Sequence, residues 1–101
     1  MTIRFFLMTR DLKKDQFIGF IESSYFDKIK SLKNPVIKIL GCVDPCDQTY
    51  FNKKQLNQIK KEIQVLQHYD DFAYKQFAIL NYAVQTAIFQ DDFAFLVLVG
   101  D

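Results

Sequence analysis

Residues 35–66 read PVIKILGCVDPCDQTYFNKKQLNQIKKEIQVL, and the fold depends on how this stretch is parsed. Its opening run, Val36-Ile37-Lys38-Ile39-Leu40, is short, β-branched and closed by Gly41, which predicts a strand. Asp44-Pro45 predicts a turn, because proline pre-sets φ and cannot donate to a ladder. Asn52 is placed to cap a helix, its side-chain oxygen accepting a first-turn N–H. Gln55, three residues on, can reach back to complete a capping box. Leu56, Ile59, Ile63 and Leu66 then recur at helical spacing on one face, with Lys54, Lys60, Lys61 and Gln64 turned elsewhere. Strand, turn, cap and amphipathic helix in succession predict a small α/β domain.

Upstream, Thr2 to Met8 alternates, with Ile3, Phe5 and Leu7 on one face and Arg4, Phe6 and Met8 on the other, as a strand covered mostly on one side does. Asp11 to Asp15 is a polar break, and Phe17 to Ile21 is too short and too interrupted by Gly19 to show a period. Ser24 followed by Asp27 predicts a cap for a short helix carrying Phe26, Ile29 and Leu32 and ending at Asn34-Pro35. Downstream, Asp70 or Asp71 is placed to cap a further helix. Its apolar positions are Phe72, Phe77, Leu80, Val84 and Ile88, with Ala73, Ala83 and Ala87 allowing close packing on more than one side. Asp91-Asp92 turns into Phe93 to Val99, an uninterrupted apolar run suited to a central strand. The order β-α-β-α-α-β predicts a sheet of three, or four, strands packed with about three helices. Mixed and parallel pairings both fit; a parallel pairing of the first two strands would be right-handed.

At 101 residues the chain is the size of one domain, 1–101, able to bury a core without metal or disulfide staples. Eleven phenylalanines and no tryptophan suggest an aromatic core. A net charge of +1 argues against a dedicated nucleic-acid binder, so no direct nucleic-acid partner is expected. The charges are unevenly placed. From Arg4 to Lys61 basic residues outnumber acidic ones about two to one, whereas beyond that Lys75 stands alone against Glu62, Asp70, Asp71, Asp91, Asp92 and Asp101. Such a split serves either solubility and helix capping or a molecule with a basic and an acidic side. No secretion signal and no membrane-length apolar run is present, which places the expectation in the cytoplasm, with no membrane partner.

Residues with catalytic potential are few. Cys42 and Cys46, with His68 distant and alone, cannot complete a four-ligand zinc site, so no metal is expected. A disulfide between them would be strained beside Pro45, and two free, partly buried thiols are the expected state. His68 sits where a helix C-terminus ends, a position that suits the helix dipole as well as any catalytic role. Asp44 and Asp47 flank a turn, where carboxylates bond backbone N–H groups. With no phosphate-cradling glycine loop and no nucleophile elbow, neither catalytic residues nor a cofactor are expected. Lys53, Lys54, Lys60 and Lys61 form a basic helix face.

The turn reads D-P-C-D-Q-T-Y-F-N-K-K-Q, and the chain closes in an apolar strand followed by Gly100-Asp101. This resembles small bacterial proteins with a D-P-x-G-D-T-x-F-N-x-x-Q turn and a final strand ending in G-D, the immunity proteins of contact-dependent growth inhibition and related polymorphic toxin systems. Asp44, Pro45, Thr49, Phe51, Asn52, Gln55 and Gly100-Asp101 carry the match, and Asp47 and Gln48 depart from it, standing where the pattern has glycine and aspartate. The motif residues look structural: a turn, a cap and a buried aromatic. The resemblance implies a non-enzymatic toxin inhibitor that covers the active site or substrate path of a cognate toxin C-terminal domain encoded immediately upstream. Such toxins are often nucleases with basic clefts, which acidic groups complement. Asp70, Asp71, Asp91 and Asp92 are then the candidate toxin-binding residues. The alternatives are an interaction module unconnected with toxins, or a small RNA-binding protein using the lysine face.

Overall fold

A computed structural model describes residues 1–9, 14–44, 46–69, 74–90 and 93–100. The elements run β1 (Thr2–Thr9), β2 (Lys14–Glu22), α1 (Ser23–Ser31), a 3₁₀ turn (Leu40–Cys42), β3 (Gln48–Phe51), α2 (Lys53–Leu66), α3 (Tyr74–Phe89) and β4 (Phe93–Gly100). The strands form one four-stranded sheet in the order β2-β1-β4-β3, and every pairing is antiparallel. The α/β class and the three helices agree with the sequence. The parallel and mixed pairings do not: β2 follows β1 in the chain and pairs with it antiparallel, and among the described residues no helix comes between them.

The alternation of β1 decides the layers. Ile3, Phe5 and Leu7 are buried and join Ile21, Phe51, Leu96 and Leu98 in one core with residues from all three helices. Met8 and Val97 are also buried, at 6% and 0% exposure, but outside that core cluster, on the opposite face. There Phe6 packs on Phe17 at 5.4 Å between ring centroids, and Tyr50 on Phe95 at 5.8 Å. β4 has hydrogen-bonded neighbours on both sides, as its continuous apolar run requires.

Val36–Leu40 is not a strand. Ile37, Leu40 and Val43 are the buried positions, a spacing of three that suits 3₁₀ geometry rather than alternation. The N–H groups of Ile39 and Leu40, which a strand would give to a neighbour, donate instead to the carboxylate of Glu62 at 3.1 and 2.9 Å. The strand of this region is the four-residue β3, within the stretch read as a turn. Residues 17–21 lie in β2, whose period is hidden by bulges in its pairing with β1 that leave Asp15 and Ile18 as extra residues.

α1 begins after Glu22 with no side-chain cap, so the expected Ser24–Asp27 cap is absent, and it ends at Ser31 rather than at Asn34-Pro35. Lys33, at φ 51°, then takes the left-handed conformation that commonly follows a helix. α3 packs tightly on the sheet at Gly19: a Cβ there would stand 3.3 Å from the Ile79 side chain. Leu80, Ala83, Val84 and Ala87 of α3 are buried as expected, whereas Tyr82 and Phe89 are exposed. Phe72 and Ala73 lie outside the described residues.

Candidate functional site

The residues that carry the family resemblance assemble around one turn. The Asp44 carboxylate accepts from the Cys46 N–H at 2.9 Å, closing an Asx-type turn, and the Thr49 hydroxyl oxygen accepts from the Asp44 N–H at 3.4 Å. Phe51 is buried on the core face of β3. Immediately after it, Asn52 and Gln55 form the expected capping box: each side-chain oxygen accepts the other's backbone N–H at 2.9 Å. Gly100 closes the unit from the far end of the chain, its N–H donating to the Asp47 carbonyl at 2.9 Å. Pro45 and Asp101 lie outside the described residues. Asp47, the first departure from the pattern, also accepts the Gln48 N–H on its own carboxylate at 2.7 Å.

Glu62 anchors the backbone that precedes this unit. It is fully buried, and its carboxylate takes N–H donors from Ile39, Leu40 and the Gln58 amide. An acid at 0% exposure with three donors is held as an acceptor, and it clamps the 3₁₀ turn onto α2. Sequence reasoning counted Glu62 only as one of the acids in the later part of the chain. The signal was there: 62 falls between Ile59, Ile63 and Leu66 on the apolar face of α2.

Among the described residues, no three histidine, cysteine or acidic side chains come together to hold a metal. Cys42 and Cys46 are free thiols, as expected, but exposed rather than partly buried. His68 is exposed just beyond the end of α2. The four lysines of α2 are exposed, and Lys54 and Lys61 line a shallow recess of about 340 Å³ with Ile39, Gln55, Asn57 and Gln58. The proposed toxin-binding acids, Asp70, Asp71, Asp91 and Asp92, all lie outside the described residues.

A larger recess lies at the other end of the sheet, between the edge of β2 and α3. It encloses about 820 Å³ and is lined by Phe17, Ile18, Phe20, Ile79 and Tyr82 among others. Phe17, Phe20 and Tyr82 are each more than half exposed. At this edge the Glu22 N–H donates to the Gln76 side chain of α3 at 3.2 Å. No helix among the described residues is long and apolar enough to cross a membrane. Comparison of the chain with protein families, with characterised proteins and with solved structures finds no match.

Proposed function

We propose that the protein is an immunity protein that binds a cognate toxin C-terminal domain and neutralises it by occluding its active site or substrate path. The observation that supports this reading is the turn unit. Asp44 is hydrogen-bonded to Thr49, Phe51 is buried in the core, Asn52 and Gln55 cap α2 together, and Gly100, fifty-six positions beyond Asp44, bonds the Asp47 carbonyl. That is what the resembled pattern requires if it marks a scaffold shared by these inhibitors. A nuclease with a basic cleft is the toxin class that fits best, since Asp70, Asp71, Asp91 and Asp92 supply negative charge in the acid-rich part of the chain. The protein works by binding alone: a covered active site excludes substrate, and no bond is made or broken by the inhibitor.

The test is co-expression with the protein encoded immediately upstream. The expected result is a complex that survives purification. An upstream product that carries no toxin domain, or one that leaves this chain behind through every column, contradicts the reading.

A further inference from the structure

We draw no further inference here: the strongest candidate, the sheet face turned away from the helices, which carries exposed Arg4, Phe17, Phe20 and Tyr50, is an unpartnered face, and nothing among the described residues shows what covers it.

Discussion

Glu62 is the residue whose removal should cost most for its size. Glu62→Ala strands the N–H groups of Ile39 and Leu40 against a void, and should lower stability by about 2–4 kcal/mol. Glu62→Gln keeps one accepting oxygen but turns an NH₂ towards the same donors, so an intermediate loss of about 1–2 kcal/mol is expected. Denaturant midpoints at constant m-value measure both, and a fully stable Glu62→Ala would show that the clamp is dispensable. Tyr25 makes a second residue-scale prediction. It is almost wholly buried in α1, and burial pushes its hydroxyl well above the ordinary tyrosine pKa. The folded protein therefore keeps this proton where the unfolded chain, with its pKa of about 10, releases it. The stabilisation is complete below about pH 10 and falls away as pH rises beyond it. Tyr25→Phe should show a smaller alkaline loss than the wild type in melts at about pH 8 and about pH 11. Equal losses in the two proteins would place the alkaline sensitivity elsewhere.

Among the elements, α2 tests the turn unit. Asn52→Ala should cost about 1 kcal/mol. Gln55→Ala should cost less, and the double variant less than the sum, because the two side chains complete one motif. Strict additivity in the double-mutant cycle would mean that the box is not formed in solution. This cap was legible because it is local: Asn52 and Gln55 are three residues apart and act on the backbone between them. The amphipathic face of α2 and the apolar run of β4 were legible for the same reason, since burial on one side or on both writes its own period. Val36–Leu40 was not. Its strand-like composition is overridden by a carboxylate 22 or 23 positions away, and no local pattern announces that contact. β2 was obscured by two bulges that break its alternation, and β3 by its four-residue length inside a motif that reads as a turn. The antiparallel pairing of β1 with β2 goes with β2 following β1 directly, which the sequence left open at Phe17 to Ile21.

For the whole molecule, the proposed immunity function together with the basic and acidic parts of the chain predicts how charge should govern binding. Reversing Asp70, Asp71, Asp91 and Asp92 to lysine should cost the fold only about 0.5–2 kcal/mol per helix end. Toxin association should become slower and weaker, most sharply at low salt, because like charges then face a basic cleft. Association rates at two ionic strengths, beside a melt of each variant, measure this. A folded quadruple variant that binds as the wild type does would move the interface to the exposed lysines of α2 or another face. The candidate acids were visible only as charge in the sequence, since charge alone carries no contact geometry. The claim that the protein neutralises by binding is tested most directly by titrating the purified upstream-encoded domain with this chain while following that domain's activity on its own substrate. The account predicts that activity falls in proportion to added chain and vanishes at one chain per toxin domain. Undiminished activity in the presence of excess folded chain would contradict it.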